Sequence, residues 1–272
     1  MRGLEDLRSE LERIDGRGYG AYRDIRGRWE ADGWTSEVVW VQGDPYAPPS
    51  RVRALLPPEV VGLPRGLLAS DPRRVGVAAH LARAFAEGAS EGSSHRGSGK
   101  SGVVRMEHPG QQVMPQTAVQ VAGDGAVEAR FQVGLPARGR RVLGRAAADL
   151  LCKLVPRLMR NTLRAAAHDP ADLLRAAEVN EDAEHLRATL SDLGLVAFVA
   201  DGARLPRRSG VDDRPLEEGV VPFRSPDSLR VTVDLPNAGR VTGMGLPAGA
   251  TLVVGGGFHG KSTLLRALER GV

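Results

Sequence analysis

The chain has 272 residues, a formal net charge of +4 and a single cysteine, Cys152. That length accommodates one large or two ordinary domains with a sizeable core. The composition excludes an internal disulfide and a cysteine-based zinc cluster. An apolar run of roughly 18 residues is missing, which excludes a transmembrane helix. The N-terminus lacks the apolar core of a signal peptide, so a cytoplasmic protein is the expectation.

Residues 4–14 place Leu4, Leu7, Leu11 and Ile14 on one helical face, and Asp15-Gly16 ends that helix. Residues 16–29, "GRGYGAYRDIRGRW", mix arginine with Tyr19, Tyr22 and Trp29. "TSEVVWVQGDPYAPPS" predicts a strand running into a Pro-rich turn. Residues 72–87 predict a helix, with Asp71 as N-cap and Pro72 at the first position. A Gly/Ser loop follows over 88–102, then a hairpin turning at Gly123-Asp124-Gly125. Residues 141–167 predict helix in two pieces, split by Pro156. Two further helices are expected at about 171–178 and 181–193, then a buried strand in "LGLVAFVADG". The last third alternates short strands, "LRVTVDL", "RVTGMGL" and "ATLVVGG", with Pro/Gly turns.

Of 37 basic residues only three are lysines, Lys100, Lys153 and Lys261. Two of them stand in Gly-Lys-Ser, where a compact ammonium can reach a phosphate. Gly255, Gly256, Gly257, Phe258, His259, Gly260, Lys261 and Ser262 satisfy G-x-x-x-x-G-K-[ST] at every fixed position. The apolar strand Thr251–Val254 precedes the loop, and Thr263 onward predicts a helix with Leu264, Leu265 and Leu268 on one face. Strand, glycine loop and helix is the context the motif needs. Backbone N–H groups and the helix N-terminus would hold the phosphates of ATP. Lys261 would bridge phosphate oxygens, and Ser262 would hold Mg²⁺ through its hydroxyl. The plainer alternative is a glycine-rich helix entry with no ligand. Hydrolysis also requires an acidic residue on a later strand. Only the helix follows Ser262, so the chain alone is expected not to turn over ATP.

Several blocks together resemble the predicted ATPases of the ABC class that carry their own N-terminal domain. They include "VQGDPYAPPSRVR", "VEARFQVGLPARGRR", "EDAEHLRATLSDLGLVAFVADGARLPRRSG", "PNAGRVTGMGLPAGATLVVGGGFHGKSTLL" and the closing "ALERGV". The resemblance implies an α+β N-terminal domain over 1–166. The incomplete beginning of an α/β P-loop ATPase domain would then occupy 167–272. It implies ATP and Mg²⁺ as cofactors, a homodimer for the complete protein, and no transporter. Phe223 is the nearest upstream aromatic that could stack on adenine, with nothing diagnostic around it. If the chain is a remnant, the strand Thr251–Val254 without a completed sheet is an aggregation liability.

The second Gly-Lys-Ser, Gly99-Lys100-Ser101, lacks the first glycine of the motif and a following helix. With Arg96 and Lys100 its loop could bind the phosphates of RNA or single-stranded DNA through an anion nest; it could equally be a flexible basic loop. Lys153, Arg157, Arg160 and Arg164 fall on one helical stripe, preceded by Arg138, Arg140 and Arg141. With Tyr19, Tyr22 and Trp29 to stack on bases, these cations suggest a nucleic-acid-binding module that needs no catalysis. The alternative is a solvated charged face. His168-Asp169 and Glu181-Asp182…His185 have no third metal ligand in register. Cys152, among leucines, reads as core.

Overall fold

The computed structural model describes residues 2–93 and 97–271. It has two compact units, Met1–His108 with Pro115–Ala177, and Pro109–Met114 with Glu178–Val272.

The first unit opens with α1 (Leu4–Arg13), which buries Leu7, Leu11 and the following Ile14. A 3₁₀ helix, Tyr19–Ile25, leads to β1 (Gly27–Ala31) and β2 (Trp34–Trp40). The turn between them is Asp32-Gly33, with φ of 45° and 88°. Positive φ at both residues suits a tight hairpin, because it matches the right-handed twist of the strands. β3 (Ser50–Leu56), a short α2 (Pro58–Val61) and the long α3 (Asp71–Gly92) follow. Ser70, not Asp71, caps α3: its Oγ accepts from the Arg73 N–H at 3.3 Å. The helix also continues through Gly92, past the expected end at residue 87.

Then come β4 (Val104–Arg105), β5 (Val119–Val121), β6 (Val127–Val133), β7 (Ala137–Arg138) and β8 (Arg141–Val142). The expected hairpin is present, with Val121 opposite Val127. The main sheet is antiparallel in the order β1-β2-β3-β6-β4, with β5 also on β6. Its central strands β3 and β6 alternate strictly: Val52, Ala54 and Leu56 of β3 and Ala129, Phe131 and Val133 of β6 face inward. Against that face α3 lays Val77, Leu81 and Phe85, and Phe85 meets Phe131 at 5.0 Å between ring centres.

Tyr19, Tyr22 and Trp29 belong to this core, and the expectation that they stack on bases is corrected. They are 4%, 0% and 1% exposed. Each polar tip finds a backbone carbonyl: Tyr19 Oη donates to Leu135 O, Tyr22 Oη to Pro136 O and Trp29 Nε1 to Ile25 O. Burial raises both phenol pKa values.

Pro156 does not split its helix. α4 (Gly144–Asp149), a π turn at Leu150–Leu154 and α5 (Val155–Thr162) run on continuously. The π turn widens the ladder where the proline ring would strike the carbonyl four residues earlier. Likewise α6 (Pro170–Thr189) is one helix rather than two, since no glycine or proline interrupts it after Pro170. The division between the units falls within α6.

The second unit carries β9 (Leu195–Ala200), β10 (Arg230–Leu235), β11 (Gly239–Pro247) and α7 (Lys261–Arg270). The three strands form an antiparallel sheet, β10-β11-β9. Asp182 of α6 holds the β10–β11 turn, accepting from the N–H groups of Asn237 and Ala238 at 2.9 Å each. Thr251–Val254 is not a strand, contrary to expectation. An extended segment becomes a strand only by pairing, and among the described residues none pairs with it. Leu252 and Val254 are consequently exposed.

Candidate nucleotide-phosphate site

Residues 255–263 form a loop that turns into α7. Three of its residues take left-handed backbone: Gly255 at φ 155°, Phe258 at φ 62° and Gly260 at φ 78°. Gly260 is the N-cap of α7. The Leu264 N–H is bonded to Gly260 O at 2.9 Å. Lys261, Ser262 and Thr263 therefore head the helix, where N–H groups lack an intrahelical acceptor and the helix dipole is positive. Ser262 is exposed and Thr263 half-buried.

Two side chains fold back over the loop. Lys261 Nζ donates to Gly255 O at 2.7 Å and Gly256 O at 2.5 Å. His259 Nδ1 accepts from the Gly256 N–H at 3.2 Å. The imidazole lies against the glycines: a Cβ on Gly256 would stand 3.2 Å from its Cε1. The loop itself is exposed. The helix behind it is anchored by Leu264 and Leu268, which pack with Val199, Met244 and Leu246. At the far end Arg270 donates to Asp213 at 2.8 Å, and the Arg187 guanidinium donates to Gly271 O at 3.2 Å. Phe223 packs against the same apolar cluster.

The family model for the N-terminal domain of ATPases of the ABC class matches residues 4–166, and that for their P-loop domain matches residues 169–272. The chain belongs to the ATPases of the ABC class. No curated protein matches it. Its fold is the mixed α and β arrangement of that class, an N-terminal domain followed by a P-loop domain, and its chemistry includes nucleotide binding. No helix among the described residues is long and apolar enough to cross a membrane.

The second Gly-Lys-Ser of this ABC-class ATPase serves its own fold. The Ser98 N–H donates to Ala137 O, Lys100 to Pro45 O, Ser101 to Ser98 O and Gly102 to Gly134 O. Ser101 is fully buried, and its Oγ accepts from the Ala137 N–H at 3.0 Å. Four N–H groups of the loop are thus bonded within the fold rather than turned to an anion. Glycine is required by contact: a Cβ on Gly99 would lie 2.2 Å from Pro45 O, and one on Gly134 1.8 Å from Lys100 O. Arg96 lies outside the described residues.

Lys100, Arg138, Arg140 and Arg141 are exposed. The docked loop brings them to neighbouring positions: the Gly139 N–H donates to Ser98 Oγ at 2.8 Å, and Arg138 pairs with Arg141 in β7–β8. Tyr46, exposed beside Pro45, flanks Lys100. Sequence reasoning passed over Tyr46, because only the long-range Lys100–Pro45 bond places it there.

Of the four stripe cations Lys153, Arg157 and Arg160 are exposed on the continuous helix, and Arg164 departs from it. Lys153 is paired with Asp149 at 2.6 Å and Arg160 with Asp32. Arg164 lies beyond the end of α5, its guanidinium 5.5 Å from the centre of the Trp34 ring. Arg157 remains exposed on the helix. Among the described residues no three carboxylate, histidine or cysteine side chains cluster as a metal site would require.

Proposed function

We infer that the nucleotide bound by this ATPase is ATP with Mg²⁺, and that residues 255–263 hold its phosphates. The observation that carries the reading is a helix N-terminus headed by Lys261, Ser262 and Thr263 directly behind a loop of left-handed backbone. The donor set suits a polyphosphate: N–H groups for equatorial oxygens, the Lys261 ammonium for a bridging position, and the Ser262 hydroxyl for Mg²⁺. The ion, when bound, neutralises charge on the phosphates. Lys261 is already within hydrogen-bond reach of the loop carbonyls, so it needs only to exchange them for phosphate oxygens.

Titration of the full chain with a fluorescent ATP analogue tests this reading. Lys261→Ala is expected to abolish binding while leaving the fold intact by circular dichroism. An unchanged affinity overturns the assignment.

A second function is favoured by one observation, the assembly of Lys100, Arg138, Arg140, Arg141 and exposed Tyr46 by the docked 97–102 loop. We infer that this surface contacts the backbone of RNA or single-stranded DNA, with Tyr46 as a stacking platform. Affinity for a short single-stranded oligonucleotide should fall linearly in log–log plots against salt, with a slope of roughly 0.7 per phosphate contacted. Arg138→Glu with Arg140→Glu should weaken it more than Arg157→Glu. Salt-insensitive binding, or greater loss at Arg157, removes this surface from the function.

A further inference from the structure

We propose that His259 is a plug for the phosphate loop, a positioning residue whose imidazole occupies the place of a phosphate oxygen until nucleotide displaces it. The proposal rests on the assignment of 255–263 as the ATP phosphate site.

The Gly256 N–H is a backbone donor of the loop assigned to the phosphates, and His259 Nδ1 accepts it at 3.2 Å. The ring is not there by accident of an open loop. A Cβ on Gly256 would stand a tight 3.2 Å from Cε1, while one on Gly255 would make ordinary contact with Nδ1 at 3.5 Å, so the ring packs directly on these two glycines. Phe258 takes the left-handed backbone, φ 62°, that turns the next residue back over the loop, and its own side chain is left wholly exposed. Left-handed backbone is unfavourable for such a residue, and strain of this sort collects at ligand sites. Lys261 bonds Gly255 O and Gly256 O, so the same two glycines are held by both side chains. A nucleotide must therefore break a hydrogen bond at His259 and exchange those at Lys261 before it is fully seated.

The bond also assigns the tautomer. A nitrogen that accepts carries no proton, so His259 is neutral with its hydrogen on Nε2. That state is visible without any ligand.

Two measurements on the full chain test the plug. The first is a long-range proton–nitrogen NMR spectrum of the nucleotide-free protein. It is expected to show His259 as the Nε2–H tautomer, and a proton on Nδ1 overturns the proposal whatever the protein binds. The second is stopped-flow binding of ATP to wild type, His259→Ala and His259→Gln. Removing the acceptor should speed association and tighten binding by about two- to tenfold, the span of one net hydrogen bond. Gln, which keeps an acceptor, should stay within about twofold of wild type. Weaker or unchanged binding in His259→Ala overturns the plug. If wild type and Lys261→Ala both fail to bind ATP, the phosphate-site assignment falls, and with it the plug as a competitor for nucleotide.

Discussion

His80 of α3 and His168, just before α6, meet edge to face, with His80 Nε2 3.1 Å from His168 Nδ1. His168 Nε2 lies 3.0 Å from Thr162 O, a carbonyl that can only accept. A neutral His168 then donates through Nε2 and accepts through Nδ1, which makes His80 Nε2 the donor of the pair. The hydrogen-bonded chain ties α3 to the C-terminal end of α5 through two imidazole rings.

Burial holds the His80 pKa below its ordinary value, and the neighbouring His168 and Arg83 push the same way, while Asp172 opposes them. A lowered folded-state pKa means that the unfolded chain binds the proton first as pH falls. The stabilising contribution is thus complete above about pH 6.5 and is lost as pH drops toward the lowered value. The melting temperature of the protein should fall between pH 7.5 and pH 5. His80→Gln, which retains a donor to His168, should reduce that slope. An identical slope in the variant would assign the acid sensitivity elsewhere.

Gly134 packs its Cα against the Gly-Lys-Ser turn. An alanine methyl there would overlap Lys100 O at 1.8 Å, whereas one at Gly20 would meet nothing within 4 Å. Gly134→Ala should cost about 3 kcal/mol or more, the upper end of overpacking. Gly20→Ala should be neutral or stabilise by up to about 1 kcal/mol. Urea unfolding of the two variants side by side reads the difference, and equal midpoints would mean that the turn is not docked.

Asp182 is 7% exposed and receives the N–H groups of Asn237 and Ala238 together with the Asn237 amide at 3.0 Å. Asp182→Ala leaves those donors without their charged acceptor, at a cost of about 3 kcal/mol. Hydrogen exchange should accelerate first at the β10–β11 turn. Protection unchanged at residues 237–238 would contradict this anchoring.

Cys152 donates weakly to Leu4 O, and burial pushes its thiol pKa up to about 11. At pH 8 the thiolate fraction is then small, so iodoacetamide should react about two orders of magnitude more slowly than with an ordinary thiol. Mass spectrometry of the alkylated protein, folded and in urea, gives the comparison. Rapid labelling of the folded chain would show that the thiol is open to solvent.

Local chemistry made much of this protein legible before its fold was known. The spacing of Leu4, Leu7 and Leu11, the Gly-Asp-Gly hairpin and the phosphate loop at 255–263 each depend on residues within one turn or one motif. Such signals survive in sequence because their partners are a few positions away. Asp32-Gly33 was an equally local hairpin signal, visible in the sequence and passed over.

What sequence could not decide was which side of a residue faces the core. Tyr19, Tyr22 and Trp29 carry the composition of a base-stacking surface, yet their polar tips are satisfied by carbonyls of Leu135, Pro136 and Ile25. Two Gly-Lys-Ser segments look alike on paper. One has N–H groups bonded to Ala137, Pro45 and Gly134, while the other heads a helix with His259 and Lys261 folded over its loop. By itself the sequence determined the phosphate-loop motif, the helical and strand periodicities and the family resemblance, because these are properties of neighbouring residues. Tertiary structure alone decided which glycines yield to a docked backbone, which cations are paired and which aromatics are core. Those outcomes depend on desolvation and contact between segments as much as 128 residues apart.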